Sequence, residues 1–170
     1  MIYYNNHAGR ETMEIITAQQ ENLEDLEKLA TFVWHESYGE LLGNAQIEYM
    51  LGKFQNREAF ERQLTEGYVY RIVKDGEEMI GYTASVFDEG RIFLSKLYLK
   101  KEYHGKGLGR MMIEDVISLY PQARAIWLTV NKYNPSYDIY RHLGFRVIDS
   151  VCTDIGEGYY MDDYVMQRDL

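Results

Sequence analysis

Residues 68–100 constrain the fold most strongly, because three runs rich in β-branched and aromatic residues are separated there only by short turns. The runs cover residues 68–74, 78–87 and 91–100. The separators, Asp75-Gly76 and Glu89-Gly90, are typical of two-residue hairpin turns, which join antiparallel neighbours. The segment therefore predicts an antiparallel meander of three strands.

The sequence on both sides of the meander adds helices and further strands. Ahead of it we expect a strand at 13–18, a helix at 20–38 with Leu23, Leu26, Leu29, Ala30 and Val33 at helical spacing, and a helical stretch at 45–63 in two pieces. After it we expect a helix at 107–120, a buried strand at 124–130, a short helix from Asn134-Pro135, and strands at 144–152 and 159–170. These elements predict a mixed α/β fold, with a central, largely antiparallel sheet of about seven strands flanked by helices.

The chain is expected to form a single domain, since it has 170 residues, two prolines and no internal repeat. Residues 1–12 are polar and aromatic, and we interpret them as an N-terminal extension to a domain that covers 13–170. The one cysteine, Cys152, cannot form an internal disulfide, and no run of about 18 apolar residues exists to span a bilayer. Because no apolar signal-peptide core follows Met1, we expect a cytoplasmic protein without a membrane partner.

The charge balance narrows the class of partner. The chain has 27 acidic and 18 basic side chains, which gives a formal net charge of -9. A nucleic acid bound through its phosphates requires a high density of Lys and Arg, so we expect no nucleic-acid partner. A small cationic substrate is compatible with this charge.

A glycine-rich stretch, "HGKGLG" at 104–109, lies between the third meander strand and the helix that follows it. Such a turn presents unpaired backbone N–H groups and the positive end of a helix dipole, which favour an anion such as phosphate. The P-loop motif does not fit, because Gly107 rather than Ser or Thr follows Lys106. The dinucleotide fingerprint does not fit either, since the glycines alternate. The stretch therefore predicts a phosphate site in another fold, and the alternative is a tight turn that needs one glycine.

This stretch resembles the signature of the Gcn5-related N-acetyltransferases, Gln/Arg-x-x-Gly-x-Gly/Ala after the fourth strand. Gly107 and Gly109 match the signature, whereas His104 stands where Gln or Arg is usual, and the resemblance covers most of the chain from Met13. It implies a single acetyltransferase domain of this family with acetyl-CoA as co-substrate. It further implies that the pyrophosphate contacts the backbone of His104, Gly105, Lys106, Gly107, Leu108, Gly109 and Arg110.

Two more segments are similar to the family. Leu97, Tyr98 and Leu99 match the strand whose backbone bonds the pantetheine arm and, at a bulge, polarises the thioester carbonyl. The segment 131–145, "NKYNPSYDIYRHLGF", resembles the family pattern of an Asn followed by a helical Tyr ahead of Gly-Phe. The resemblance implies that Tyr140 donates a proton to the CoA sulfur and that Asn131 or Asn134 contacts the cofactor. Asn134 lies one residue closer to Tyr140 than is common, so both asparagines stay open.

Acetyl transfer to an amine needs three groups: a base for the amine, a donor for the oxyanion and a donor for the departing thiolate. Backbone N–H groups of Leu97–Leu99 can serve the oxyanion, and Tyr140 can serve the thiolate unless it is simply a core aromatic. No carboxylate lies between Arg91 and Lys101. The base is therefore sought, through water, among Glu36, Glu40 and the C-terminal acids, each of which is alternatively a surface charge.

Several other residues are given structural interpretations. "HESYG" at 35–39 lacks the second histidine of the zinc motif, so we expect no metal site. Trp34 and Tyr38 are spaced for core packing, although the family places its acceptor near this helix. Cys152 is expected to be a buried small hydrophobic residue rather than a nucleophile.

The function expected from the sequence is acetyl-CoA-dependent N-acetyltransfer, directly and without an acyl-enzyme, to a primary amine of a small cationic substrate. Residues 31–50 and 154–166 resemble a bacterial branch of polyamine acetylators, which favours a polyamine-like acceptor. Acceptors on proteins (N-termini or lysines), aminoglycosides and amino acids stay open, as does a non-catalytic CoA-binding sensor or scaffold. A nucleotide phosphotransferase is disfavoured by the missing Ser or Thr after Gly-Lys. The resemblance also allows a homodimer.

Overall fold

The meander forms the centre of an eight-stranded sheet. The computed structural model describes residues 2–5 and 12–170 of the chain. The strands are β1 (Ile2–Asn5), β2 (Thr12–Thr17), β3 (Val69–Asp75), β4 (Glu78–Asp88), β5 (Arg91–Leu99), β6 (Ala125–Asn131), β7 (Arg146–Gly156) and β8 (Tyr159–Asp169). Their order is β1-β2-β3-β4-β5-β6-β8-β7, and β5 with β6 is the one parallel pair of this described sheet. The predicted fold class is confirmed, with β2–β8 as the expected seven strands.

Five helices cover the two faces of the sheet. They are α1 (Leu23–Tyr38), α2 (Asn44–Phe54), α3 (Arg57–Thr65), α4 (Leu108–Ser118) and α5 (Ser136–His142). The first three pack on one face against β3 and β4, and α4 and α5 pack on the other against β5 and β6. The predicted helices are all present. Helix α5 begins at Ser136, one residue later than expected, and the Asn134 side-chain Oδ1 accepts the N–H of Ser136 at 2.8 Å in the turn before it.

The helical spacing of apolar residues predicted for 20–38 is confirmed by α1. Leu23, Leu26, Leu29, Ala30 and Val33 are all buried. They form one core with Tyr70, Ile72 and Tyr82 of the sheet, so α1 is fixed against β3 and β4. A second core joins α4 to β5 and β6 through Ile113, Val116, Ile92 and Ile126.

A buried ion pair attaches α4 to the sheet. The Arg71 guanidinium on β3 donates to both carboxylate oxygens of Asp115 on α4, at 2.8 Å each, and to Thr17 Oγ1 at 2.7 Å. Arg71 and Asp115 are only 5% and 1% exposed. The ion pair therefore fixes α4, whose N-terminus follows the glycine-rich stretch, against the sheet.

Three expectations concern the chain outside this core. Ile2–Asn5 pairs antiparallel with β2, while residue 1 and residues 6–11 of the expected extension lie outside the described residues, so the boundary at 13 stays a prediction. The expectation for Cys152 is wrong: its side chain is exposed, because β7 is the outer strand of the sheet. In the described parts of the chain, no helix has the length and apolar character needed to cross a membrane.

Candidate active site

The site is built around a gap between β5 and β6. These parallel neighbours are paired only from Arg91–Phe93 to Ala125–Trp127. Beyond that point the backbone of β5 up to Leu99 has no strand partner on the side that faces β6, although its other side stays paired with β4. A strand with one free edge can bond a linear ligand that enters the gap.

A β-bulge lies in the same part of β5. Ala84 of β4 pairs with Lys96 while Ser85 pairs with Leu94, so Ser95 has no partner. The resemblance associates a bulge with the strand that contains Leu97–Leu99, and the bulge of this strand lies two residues before Leu97. Leu97, Tyr98 and Leu99 themselves pair regularly with β4, and their opposite backbone edge faces the gap.

The glycine loop, defined here as residues 104–110, follows β5 after a short 3-10 turn at Lys101–Tyr103. Gly105 and Gly107 have φ angles of +74° and +80°, and a Cβ at either position would meet no atom within 4 Å. The backbone N–H groups from Gly105 to Arg110 donate to no acceptor among the described residues. A loop with open space and six free donors at a helix N-terminus fits a pyrophosphate.

The side chains of the glycine loop have different roles. His104 Nε2 lies 2.9 Å from the Leu99 carbonyl; because a carbonyl only accepts, Nε2 donates, and His104 braces the loop against the end of β5. The side chain of Leu108, the first residue of α4, is buried in the core, so only the backbone of Leu108 is available to a ligand. Lys106 lies over the Tyr103 ring at 4.9 Å and Arg110 is exposed, and both cations can approach an anion in the loop.

Replacing Gly107 by Ala is expected to weaken acetyl-CoA binding and to destabilise the fold by about 1 kcal/mol, because an L-residue is strained at positive φ. Calorimetric titration and urea unfolding measure the two effects. Gly52→Ala in α2 is the control: its Cβ also meets nothing, and its φ is ordinary, so stability should rise slightly and acetyl-CoA affinity should stay unchanged. Wild-type affinity in Gly107→Ala would exclude the loop as the phosphate site.

An aromatic cluster lines the α1 side of the gap. Trp34 and Tyr38 of α1 have ring centroids 4.8 Å apart, and Tyr98 of β5 lies 5.7 Å from Trp34. Tyr82 of β4 is 5.4 Å from Tyr98. The spacing of Trp34 and Tyr38 predicted core packing, but their packing against Tyr98 also brings them to the site. That contact joins residues about 60 positions apart, which a local pattern does not reveal.

Tyr140 reaches the gap from α5. Its ring packs edge-on against Phe145 at 5.7 Å, so it does belong to the core on this side of the sheet. Burial raises the pKa of the Tyr140 phenol well above its usual value, and nearby Tyr38 raises it further. Its hydroxyl makes no hydrogen bond within the described part of the chain. Tyr140 is therefore protonated at neutral pH and has a proton to donate.

The two candidate asparagines both hold turns. Asn131 Oδ1 accepts the N–H of Tyr133 at 3.0 Å. Asn134 Oδ1 accepts the N–H of Ser136, and its Nδ2 donates to the Tyr38 hydroxyl at 3.2 Å. Asn134 thus ties the start of α5 to α1 across the gap. Contact of either residue with a cofactor stays a prediction.

Most acids considered as bases have structural partners. Glu36 accepts the N–H of Lys101, Asp154 accepts the N–H of Gly156, Asp162 pairs with Lys132, and Asp169 pairs with Arg146. Glu40 is exposed after α1. Asp163 differs because it is only 5% exposed, and burial raises its pKa to about 6, with a further contribution from Asp162 and an opposing one from Lys132. No cluster of three His, Cys, Asp or Glu side chains in the described residues could hold a metal ion.

The raised pKa of Asp163 predicts a pH dependence of stability. The fold favours the protonated acid, so its contribution is fully present below the unfolded pKa near 4 and is lost as pH rises through about 6. The free energy of unfolding of Asp163→Asn, relative to that of wild type, should therefore increase by up to about 3 kcal/mol between pH 4 and pH 7.5. Urea unfolding over this range measures the difference. Asp169→Asn is the control: the hydrogen bond from Arg146 lowers the Asp169 pKa, so its contribution changes below about pH 4 and its difference from wild type should stay nearly flat over this range. A flat difference for Asp163→Asn as well would contradict the assignment.

Comparison with known proteins agrees with this geometry. Residues 17–157 match the family model described as an acetyltransferase (GNAT) domain. A stretch of 96 residues, 54% of this chain, is 31% identical to an uncharacterized N-acetyltransferase of Mycobacterium tuberculosis. The match spans 61% of that relative's length, and the counterpart in Mycobacterium bovis matches equally.

Two solved structures share the fold. The PaiA N-acetyltransferase of Thermoplasma acidophilum, in complex with coenzyme A, gives a TM-score of 0.80 at 21% identity and covers 93% of this chain and 99% of its own. A GCN5-related N-acetyltransferase from Rhodopseudomonas palustris gives 0.78 at 14% identity and covers 97% and 100%. At these identities the likeness concerns the fold alone. Because the family model matches most of the chain, the protein belongs to the GNAT acetyltransferase family.

Proposed function

We propose that the protein transfers an acetyl group from acetyl-CoA directly to a primary amine of a small cationic, polyamine-like substrate, in a ternary complex. One observation carries this proposal: the free edge of β5 leads, after one 3-10 turn, into the glycine loop, whose N–H groups from Gly105 to Arg110 are unpaired among the described residues. A linear cofactor with a pyrophosphate at one end and a pantetheine arm matches that arrangement.

The residues of the chain supply binding, orientation and proton transfer. The N–H groups of the glycine loop hold the pyrophosphate, with Lys106 and Arg110 adding positive charge. The free backbone of Leu97–Leu99 bonds the pantetheine arm, and backbone N–H groups near the Ser95 bulge stabilise negative charge on the carbonyl oxygen. Acetyl-CoA supplies a thioester whose acyl carbon is electrophilic.

Tyr140 is the proposed proton donor to the departing sulfur. Its raised pKa keeps the phenol protonated at neutral pH, so the hydroxyl is available as a hydrogen-bond and proton donor when negative charge develops on the sulfur. Tyr38 and Asn134, hydrogen-bonded to one another, close the α1 side of the gap next to it. Asn131 and Asn134 are the proposed contacts of the amide-rich pantetheine arm.

The proposal of a cationic acceptor is supported by the net charge of -9 and by acids on the β7–β8 hairpin. Asp154 and Glu157 lie along this hairpin, and Asp163 lies buried on its second strand. A protein N-terminus, a lysine or an aminoglycoside amine would use the same chemistry, so these are the alternative acceptors.

A homodimer would place a second copy on the exposed edge of β7.

The test is release of CoA thiol by the purified protein with a panel of amines: diamines and polyamines, peptides with free N-termini or lysines, and aminoglycosides. We expect the fastest release with the diamines or polyamines, and an acetylated amine by mass spectrometry. Intact-protein mass spectrometry with acetyl-CoA alone should show no acetylated protein, because no acyl-enzyme forms. CoA binding without release with any amine would support the sensor alternative.

A further inference from the structure

Asp163 is a buried carboxylate on β8, the strand that flanks β6 on the side away from β5. It lies in register with Asn131 at the end of β6, which is the strand that forms one side of the gap. The residue is 5% exposed, and no side-chain hydrogen bond among the described residues includes its carboxylate, whose oxygens keep some contact with solvent. Isolated buried carboxylates destabilise a fold unless a cation or donor compensates them. This position therefore calls for a partner from outside the described chain.

The groups around Asp163 belong to the proposed catalytic cluster. Asp163 lies two residues after Met161 on β8, and Met161 packs against the same core as Tyr38 of α1. Alternate residues of a strand share a face, so Asp163 faces the α1 side of the sheet, and its charge adds to the rise that burial causes in the pKa of Tyr38. Tyr38 in turn accepts a hydrogen bond from Asn134 and influences Tyr140. Asp163 thus lies on the face of the sheet opposite to α5, one strand away from the gap.

The neighbouring charges leave Asp163 without a cation. Asp162 raises its pKa and Lys132 lowers it. The Lys132 ammonium, however, pairs with Asp162 at 2.6 Å and lies over the Tyr164 ring at 5.6 Å. Successive side chains on a strand point to opposite faces, so this Lys132–Asp162 pair lies on the face away from Asp163. The Lys132 ammonium is therefore already paired with Asp162.

We propose that Asp163 binds the ammonium group of the acceptor amine and takes its proton, which makes it the general base of the reaction. This assignment rests on the proposed function. One N–H bond of the ammonium breaks and an O–H bond forms on Asp163, giving a neutral amine. The nitrogen lone pair then forms the C–N bond to the acyl carbon as the C–S bond breaks, and Tyr140 gives its proton to the sulfur. The excess proton on the new amide nitrogen returns through water to the Tyr140 oxygen, and the Asp163 proton leaves to solvent.

Burial of Asp163 under the bound substrate favours transfer of the ammonium proton to its carboxylate. When the substrate covers Asp163, both members of the ion pair lose water, and desolvation disfavours both charged forms. The neutral pair of carboxylic acid and amine is thereby favoured over the ion pair. A carboxyl with a pKa of about 6 is ionised at neutral pH and is a better proton acceptor than an ordinary aspartate.

The test compares Asp163→Asn with Asp162→Asn, using spermidine as the first probe. We expect kcat/KM for spermidine to fall about 100-fold in Asp163→Asn, which is the usual range for loss of a general base. The affinity for acetyl-CoA, measured by calorimetry, should stay at the wild-type value. Asp162→Asn removes an adjacent carboxylate on the other face of the same strand, and its kcat/KM should change about threefold or less.

A pH profile separates catalysis from a structural role. The wild-type kcat/KM should lose activity as pH falls through about 6, where Asp163 becomes protonated, and Asp163→Asn should lack that limb. The defect of Asp163→Asn should also shrink towards pH 10, where the free amine is neutral without a base. Asp163→Glu, which keeps the carboxylate, should recover part of the activity.

The outcomes distinguish the two proposals. Suppose that the wild-type protein turns over spermidine and that kcat/KM is normal in Asp163→Asn, or falls equally in Asp163→Asn and Asp162→Asn. Either result would overturn the role of Asp163 and leave the proposed function intact. Loss of acetyl-CoA binding in both Asp163→Asn and Asp163→Glu would assign Asp163 a structural role instead. Absence of wild-type turnover with spermidine and every other amine of the panel would overturn the proposed function and the role of Asp163 together.

Discussion

Replacing Tyr140 by Phe is expected to lower kcat about 1,000-fold and to leave the affinity for CoA nearly unchanged. The substitution removes only the hydroxyl, and the ring can keep its edge-on contact with Phe145 at 5.7 Å. Because burial keeps the phenol protonated, the wild-type residue has a proton ready for the thiolate. Without it the sulfur would leave as a poorly stabilised anion, so the loss should appear in turnover rather than in binding.

The measurement is steady-state thiol release together with calorimetric titration of CoA. Tyr137→Phe provides a matched control on the same helix, since Tyr137 packs against Tyr164 at 5.2 Å and has no proposed part in the chemistry. Tyr137→Phe should keep kcat within about twofold of wild type, because the hydroxyl that it removes has no proposed part in the reaction. A loss of less than about threefold in Tyr140→Phe would remove Tyr140 as the proton donor.

Replacing Asp115 by Asn is expected to lower the free energy of unfolding by about 3–5 kcal/mol, the cost of leaving a buried charge without its partner. The Arg71 guanidinium would keep its contact with Thr17 but lose a bidentate carboxylate in a site that is 5% exposed or less. Since the pair holds α4 on the sheet, acetyl-CoA binding at the glycine loop should weaken as well.

Urea unfolding measures this effect, and Glu24→Gln is its control. Glu24 forms an exposed pair with Lys28 on α1, so its replacement should leave stability unchanged within error. The double variant Arg71→Met, Asp115→Leu should recover stability relative to Asp115→Asn, because it leaves no unpaired buried charge. A loss below about 1 kcal/mol in Asp115→Asn would show that the ion pair is dispensable.

The parts of the fold that follow from local patterns were predictable. Asp75-Gly76 and Glu89-Gly90 are turn signals within a few residues of the strands they join. The second turn occurs at the expected residues, and the first is formed by Gly76 and Glu77, one residue later. The spacing of apolar residues in 20–38 likewise reported one buried helix face. Gly105 and Gly107 both adopt the positive φ that explains their presence. In each case the cause lies within about ten residues of its effect.

The parts that depend on pairing between distant strands were not predictable. Asp162 and Asp163 are equivalent as neighbours in a sequence, and only the alternation of β8 against β6 pairs one with Lys132 and buries the other. The Ser95 bulge depends on the register of β5 against β4. The exposure of Cys152 depends on β7 being the outer strand.

The most direct test of the central claim, that the glycine loop and the gap bind acetyl-CoA, is thermal unfolding of the purified protein with acetyl-CoA, CoA and ATP. At about 100 times Kd, the CoA compounds should raise Tm by roughly 5–10 °C for a chain of this size. ATP at the same concentration should produce little change, because it carries no pantetheine arm for the free edge of β5. Equal shifts with ATP, or no shift with acetyl-CoA and CoA, would contradict the assignment of the site.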